Sequence, residues 1–191
     1  MAADVTNAEQ VKKAVDSATD AFGGKIDILI NLAGIVGQGK VEDLTEEEWD
    51  KMFAVNCKGS FLFIRETVPL MKANKFGKII NIVSQAAFHG STSGHAHYAS
   101  AKGGLVTFTV SLAREVAQYG INVTAVAPGM MRTPMNKEAL AERDAEYVKR
   151  IPLGRIADPK EVTYTVVFLA SEKADYITGA TIDVTGGMLM R

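Results

Sequence analysis

Ser84 and the pair Tyr98 and Lys102 are the residues of this chain whose types and spacing best suit proton transfer. Tyr98 and Lys102 are four positions apart, so on a helix they share a face, one turn from each other. A lysine ammonium beside a phenol stabilises the phenolate and lowers a reference pKa of about 10 towards working pH. A tyrosine so placed passes a proton to or from a hydroxyl or carbonyl oxygen. Ser84 follows the apolar run Lys78 to Val83, which reads as a strand, and parallel sheets gather active-site residues at strand ends. Taken alone, the pair also fits two ordinary surface residues of a helix.

Three further segments keep it company. Asn31-Leu32-Ala33-Gly34 directly follows the apolar run Ile26 to Ile30. Asn56 lies in Val55-Asn56-Cys57-Lys58-Gly59-Ser60, on a long helical stretch. Pro128-Gly129-Met130-Met131-Arg132-Thr133-Pro134 follows a third apolar run. Each has a plain reading as a turn, a helix residue or a loop. Chance does not readily give all of them in this order, each at the end of a strand or on the helix after it. His89, His95 and His97 crowd the loop before Tyr98, but no Cys or acidic residue accompanies them. No metal site is expected there, and the histidines read as loop lining or solvated polarity. Cys57 reads as a small buried hydrophobe.

The elements that must position these residues alternate between short apolar runs and longer periodic stretches, the pattern of βαβ units and a parallel sheet. Thr6 to Phe22 opens with Thr6 or Asn7 as N-cap, carries Val11, Ala14, Val15, Ala18 and Phe22 near helical spacing, and stops at Gly23-Gly24. Ile26 to Ile30 is the first strand. Thr45-Glu46-Glu47-Glu48 reads as a capping box and opens a helix to about Asn74, with Pro69 as a bend. Lys78 to Val83 is the second strand, followed by a helix from Tyr98 to about Tyr119 that Gly120 caps. Ile121 to Val126 is the third strand, broken by Pro128-Gly129. A helical stretch covers Asn136 to Arg150. Asp158-Pro159 opens one more helix to about Ser171, with proline at its first position. Thr178 to Val184 is the last strand. The first helix has no strand before it.

Composition agrees with one globular unit. The chain has 191 residues, enough for one domain with a real core. Apolar residues make up 47% and charged residues 23%, which argues against disorder. With 21 basic and 22 acidic residues and a net charge of -1, the basic excess of a nucleic-acid binder is missing. The one cysteine permits no intrachain disulfide and suits a reducing, cytoplasmic setting. Apolar runs stay under ten residues, short of the roughly twenty that span a bilayer. The start, MAADVTNAEQ, has no basic or apolar signal region. Neither nucleic acid nor membrane is an expected partner.

Together, the turn at Asn31 to Gly34, Asn56, Ser84, Tyr98-Ala99-Ser100-Ala101-Lys102, the Pro128 to Pro134 segment and Thr178-Gly179-Ala180-Thr181-Ile182-Asp183-Val184-Thr185-Gly186-Gly187 resemble a classical short-chain dehydrogenase/reductase. Within that superfamily the chain is most similar to the 3-oxoacyl-(acyl-carrier-protein) reductase and glucose dehydrogenase neighbourhood. The resemblance runs along essentially the whole chain, from Ala3-Asp4-Val5-Thr6 onward. It implies a single Rossmann-like domain over residues 1–191: an α/β, doubly wound parallel sheet, incomplete at its N-terminus. It implies NAD or NADP as cofactor and hydride transfer to or from a carbonyl or secondary alcohol, with an acyl thioester among the substrate classes. Carried over residue by residue, it makes Tyr98 the acid/base and Ser84 the hydrogen-bonding partner of the substrate oxygen. Lys102 lowers the tyrosine pKa and holds the nicotinamide ribose, and Asn56 supports a water that links Lys102 to solvent. Asp4 and Val5 meet the adenine. Asn31, Ala33 and Gly34 line the adenosine ribose and diphosphate side. Pro128, Gly129, Met131 and Thr133 flank the nicotinamide, the Met131 amide facing its carboxamide.

One family feature is missing. No G-x-x-x-G-x-G turn stands near the start, the turn whose backbone amides and helix N-terminus face the pyrophosphate. Gly34-Ile35-Val36-Gly37-Gln38-Gly39 looks similar but follows the family's fourth strand and reads as a substrate-side loop. Two βα units of about thirty residues each are absent, and with them the residue that would choose NAD or NADP. In the strand order 3-2-1-4-5-6, Ile26 to Ile30 then becomes an apolar edge strand. Two functions compete: a hydride-transferring enzyme, supported by the full Asn56, Ser84, Tyr98, Lys102 set, and a non-catalytic remnant that binds a partner through its oligomer surfaces. Trp49 to Asn74 and Tyr98 to Tyr119 carry more apolar residues than one buried face needs, among them Phe61, Phe63, Val106, Phe108 and Val110. A homodimer or homotetramer is expected through these helices.

Overall fold

The computed structural model describes residues 2–90, 94–134 and 137–191. Four parallel strands, β1 (Ile28–Asn31), β2 (Gly77–Ile82), β3 (Ile121–Pro128) and β4 (Thr181–Val184), lie in the order β1-β2-β3-β4. Register runs from Ile28 opposite Lys78, through Ile79 opposite Val123, to Val126 opposite Ile182. The expected α/β doubly wound sheet is therefore present, with helices on both faces.

Helix α1 (Ala8–Ala21) begins where Asn7 Oδ1 accepts from the amides of Glu9 and Gln10, both at 3.1 Å. It buries Val11 and Val15 and packs against α3. Phe22, expected on the same stripe, sits past the last helical turn and is 67% exposed. β1 starts at Ile28 rather than Ile26, although Ile26 is already buried in the core. The capping box at Thr45 and Glu48 is present and starts α2 (Glu46–Phe53). The helix does not run on regularly: Ala54–Lys58 forms a π turn before α3 (Gly59–Asn74), which contains Pro69.

After β2 comes the short α4 (Ala86–His89), then α5 (Ala96–Val116), which tightens into a 3-10 turn at Ala117–Tyr119. Gly120 caps that turn at φ 72°, and a Cβ there would stand 2.6 Å from the Lys75 carbonyl oxygen, so glycine is required. α6 (Lys137–Arg150) contains a kink at Arg143; its expected start, Asn136, lies outside the described residues. α7 (Pro159–Leu169) has Pro159 in its first turn and a capping box between Asp158 and Glu161. β4 starts at Thr181, later than expected, because Gly179 turns at φ 71° while its amide bonds to Val123 O at 2.7 Å.

The strands separate two apolar layers. Ile79, Ile121 and Val123 pack with Ile64, Val68 and Met71 of α3 and with Leu112, Ala113 and Val116 of α5. Ile80, Ile82 and Val126 pack on the opposite face with Val162 and Leu169 of α7. Truncating a fully buried Ile79 to alanine costs about 2–5 kcal/mol. Beyond α7's reach, β1 is an edge: Ile28 and Ile30 are each 45% exposed and Leu32 is 69% exposed.

Candidate active site at the C-terminal ends of the strands

Val83 donates its amide to Val126 O at 2.8 Å and Gln85 to Pro128 O at 3.1 Å, so the chain leaving β2 stays tied to β3. Ser84 lies between these two anchors, and its Oγ accepts the Ala86 amide at 3.2 Å. Tyr98 and Lys102 occupy the first turns of α5. A side-chain hydrogen bond joins Tyr98 to Ser84.

Lys102 is buried, and its Nζ donates to the Ile82 carbonyl oxygen at 2.8 Å. Among the described residues no carboxylate lies within ion-pair distance of it. Burial pushes its ammonium down to about 8. The phenol behaves otherwise than the sequence suggests. Burial pushes Tyr98 above its ordinary value, the Ser84 hydrogen bond partly opposes this, and Lys102 is not among the causes. The ammonium is directed at Ile82 O, which explains why the spacing alone misleads.

Asn56 lies on the π turn, fully buried. Its Oδ1 accepts from the Ile35 amide at 3.2 Å, and its Nδ2 donates to Ile35 O at 3.0 Å and Met52 O at 3.1 Å. This two-point clip fixes the loop that follows β1. A Cβ at Gly34 would stand 2.8 Å from Asn56 Oδ1 and 3.5 Å from Lys102 Nζ, so Gly34, Asn56 and Lys102 are neighbours that leave no room for a side chain. The half-buried Cys57 thiol is pushed up by burial, with the Lys102 charge acting in the opposite direction.

The other expected residues divide into two groups. Val5, Asn31 and Ala33 line one cleft of about 200 Å³, together with Leu29, Ile30, Leu32, Val55, Gly59, Ser60 and Phe63. Asn31 is committed within the protein: its Nδ2 donates to Asn81 Oδ1 at 2.8 Å, Asn81 Nδ2 to Thr109 Oγ1 at 2.9 Å, and Thr109 Oγ1 to Leu105 O at 2.8 Å. The Asp4 carboxylate accepts the Thr6 amide and hydroxyl, both at 2.8 Å, and these bonds hold it below its ordinary value. Pro128 ends β3. Gly129 donates to Val184 O at 2.9 Å, and a Cβ there would stand 2.9 Å from the Thr185 Cα. Met131 pairs with Ala157 in an isolated bridge, and Thr133 is half-buried two residues on. Among the described residues no cluster of His, Cys, Asp and Glu could hold a metal.

Sequence reasoning missed Asn81, Thr109 and Gln85. Asn81 is a polar residue set between isoleucines inside a wholly buried strand, and that setting was the available signal. Gln85 places Nε2 3.2 Å from Met188 Sδ while its buried Oε1 has no partner.

A parallel sheet with Ser84 beyond its second strand and Tyr98 and Lys102 on the next long helix defines a short-chain dehydrogenase/reductase. A family model described as enoyl-(acyl carrier protein) reductase matches residues 1–189, and the chain belongs to this short-chain dehydrogenase/reductase family. It is 41% identical over 190 residues to the 3-oxoacyl-[acyl-carrier-protein] reductase FabG of Vibrio cholerae, covering 100% of this chain and 77% of that protein. It is 37% identical over 186 residues to the FabG of Thermotoga maritima, covering 97% and 75%. A crystal structure of a protein assigned as a gluconate dehydrogenase from Agrobacterium tumefaciens matches with a TM-score of 0.93 at 36% identity, covering 98% of this chain and 74% of that one.

Proposed function

We propose that the chain carries the catalytic part of an NAD(P)-dependent carbonyl reductase acting on a 3-oxoacyl thioester or a similar ketone. The observation that carries this reading is that Asn56 and Lys102 close on Gly34 while Lys102 also bonds the last residue of β2, two positions before Ser84, the partner of Tyr98. The relatives named as 3-oxoacyl-[acyl-carrier-protein] reductases favour the thioester.

The cleft lined by Val5, Asn31 and Ala33 fits an adenosine moiety. Lys102 fits a ribose: it is buried, bonded among the described residues to one backbone carbonyl, and bordered by a glycine. When bound, a nicotinamide supplies or accepts the hydride. Ser84 holds the substrate oxygen, and Tyr98 transfers the proton to it. A phenol keeps its proton at neutral pH and burial pushes Tyr98 further the same way, so the resting site is set for donation, the direction of reduction. Asn56 fixes the loop beside Lys102. Gly129, Met131 and Thr133 bound the nicotinamide side. The sequence offers no glycine-rich turn for the pyrophosphate. Charge-assisted hydrogen bonds are worth about 1.5–3 kcal/mol each, so lacking two or three of them weakens cofactor binding by at least ~3 kcal/mol, more than ~100-fold. These 191 residues, assayed by themselves, are expected to bind the cofactor weakly and to turn over slowly.

Titration with NADH and NADPH, together with assays on an acetoacetyl thioester, tests both parts. Weak binding is expected, lost in Lys102→Ala and kept in Tyr98→Phe, with slow turnover lost in both. Equal, mild effects of the two substitutions overturn the assigned roles, and rapid turnover by the unaided chain overturns the weak-binding argument. The exposed Ile28, Ile30 and Leu32 favour a second reading, a non-catalytic partner-binding chain. That reading requires no response to either cofactor. A homodimer or homotetramer is part of the proposal. Phe61 is 41% exposed and meets Phe108 edge-on at 6.2 Å, while Tyr164, Val167 and Phe168 leave an apolar face on α7. A ~20 kDa species at micromolar concentration in sedimentation overturns it. Among the described residues no helix is long and apolar enough to cross a membrane, and a cytoplasmic location completes the proposal.

A further inference from the structure

Gln85 directly follows Ser84 and is 8% exposed. β2 has ended at Ile82, and Gln85 takes helical angles, φ -54° and ψ -29°, at the start of α4. The alternation that sends neighbours on a strand to opposite faces therefore no longer governs Ser84 and Gln85. The Gln85 amide donates to Pro128 O at 3.1 Å, which pins the residue where the ends of β2 and β3 meet. Its Oε1 lies 3.2 Å from where a Cβ on Gly129 would stand, against the segment that the proposed function sets beside the nicotinamide. Among the described residues nothing donates to Oε1. Nε2 meets the Met188 thioether at 3.2 Å, and a thioether is a weak acceptor. A buried amide so poorly paired costs stability, and a ligand donor that reaches Oε1 removes that cost.

We propose that Gln85 Oε1 accepts a hydroxyl of the substrate, so that the site selects ketones carrying a hydroxyl group close to the carbonyl. The inference rests on the reductase reading of this site and narrows its substrate class. Ser84 and Gln85 are consecutive, with Cα atoms about 3.8 Å apart, so the group that Gln85 meets lies within a few bonds of the oxygen that Ser84 holds. An unsubstituted 3-oxoacyl thioester has carbons and acceptor oxygens in that stretch and no donor, and it leaves Oε1 unpaired. A hydroxyketone brings an O–H to it. Sites built to bond a substrate hydroxyl reject the analogue that lacks it far more strongly than an apolar pocket discriminates by size, because the buried partner is then left unpaired.

The probes are 3-hydroxy-2-butanone and 2-butanone, which differ by one hydroxyl. Binding is read without turnover by nuclear magnetic resonance of the isotope-labelled chain, at the Gln85 side-chain amide and, in variants, at the Ala86 backbone amide. The hydroxyketone is expected to give saturable shifts with a Kd at least ~10-fold below that of 2-butanone. Gln85→Leu and Gln85→Met should bring the two ligands within about twofold of each other, with urea midpoints equal to or above the parent's because an unpaired buried group is gone. No saturable binding of the hydroxyketone, or equal binding of the two ketones by the parent, overturns the proposal. So does a preference that survives in either folded variant. Substitutions that weaken NADPH binding and leave the preference intact also overturn it and assign Oε1 to the cofactor. Rates of NADPH-dependent reduction are measured on the same pair. A binding preference without turnover of either ketone ends the reductase reading and keeps Gln85 as a hydroxyl-binding residue.

Discussion

The two ends of β2 each meet a buried lysine, and the two are paired differently. At the N-terminal end, Lys78 joins Asp175 and Asn122, while Asn122 Nδ2 donates to the carbonyls of Asp175 and Ile177 at 2.9 and 3.1 Å. The Lys78 ammonium and both ends of the Asn122 amide have partners there, and the result is a bolt that fastens the segment after α7 beneath the sheet. At the C-terminal end, among the described residues, Lys102 has a single backbone carbonyl, and Gln85 and His97 each bury an atom without a partner. An incompletely paired buried group costs stability, and sites that act on other molecules tolerate that cost because the spare bonding capacity is what they use. Completeness of pairing, rather than burial or residue type, separates the Lys78 end of this sheet from the end that holds the proposed site.

The sharpest break of that comparison is kinetic. Tyr98→Phe should lower carbonyl reduction by about 10²- to 10⁴-fold relative to the parent chain. Asn122→Ala, at the opposite end, should leave the rate per folded molecule within about twofold, and steady-state assays on both variants decide it.

Stability should respond with opposite signs at the two lysines. Lys78→Met removes the buried partner of a carboxylate that is 62% exposed and can return to water, so urea denaturation should show a loss of about 2–3 kcal/mol. Lys102→Met should instead stabilise at neutral pH. A pKa lowered from 10.5 to about 8 corresponds to ~3 kcal/mol at about 1.4 kcal/mol per unit. Losing the bond to Ile82 O returns ~1 kcal/mol of that, leaving a net gain of about 2 kcal/mol.

The same shift fixes a pH dependence. The unfolded chain keeps this proton up to 10.5, whereas the folded chain releases it near 8. Between these values the unfolded state binds more protons, so stability rises with pH. The advantage of Lys102→Met over the parent should therefore be full below about pH 8 and shrink as pH climbs towards 10.5, read from paired denaturation curves. A lysine stabilised as ammonium would give the reverse trend. The smallest effect should come from Gly34→Ala, whose Cβ meets Asn56 Oδ1 at 2.8 Å. A loss of about 1 kcal/mol is expected, with weakened cofactor binding.

Local signals in the sequence were faithful. The capping box at Thr45, the helix start at Asp158-Pro159 and the glycine at 120 all act within a few residues of themselves, and each appears in the structure as read. The strand–helix alternation was equally legible, because burial on both faces leaves nearly continuous apolar runs in β2 and β3. What stayed hidden depends on partners distant in sequence. Lys78 and Asp175 are 97 positions apart, and Asn31 and Asn81 are 50 apart. Nothing at Lys78 distinguishes it from a surface residue that opens a strand. The set Asn56, Ser84, Tyr98 and Lys102 could be named, but not its electrostatics: four-residue spacing places Lys102 beside Tyr98 without saying that its ammonium turns to Ile82 O.

The π turn at Ala54–Lys58 has a consequence for how the rod from Glu46 to Asn74 tolerates changes of length. Each residue advances a helix by about 100°, and a π turn holds one residue more than the regular spiral would. The two halves of the rod are therefore out of phase by design: the first aims Met52 and Asn56 at the loop after β1, the second aims Ile64, Val68 and Met71 at the sheet. Deleting one residue from this turn would yield a better helix and a worse protein, since no single rotation of a regular rod satisfies both halves. The surplus residue acts as a differential, letting one continuous helix face two directions.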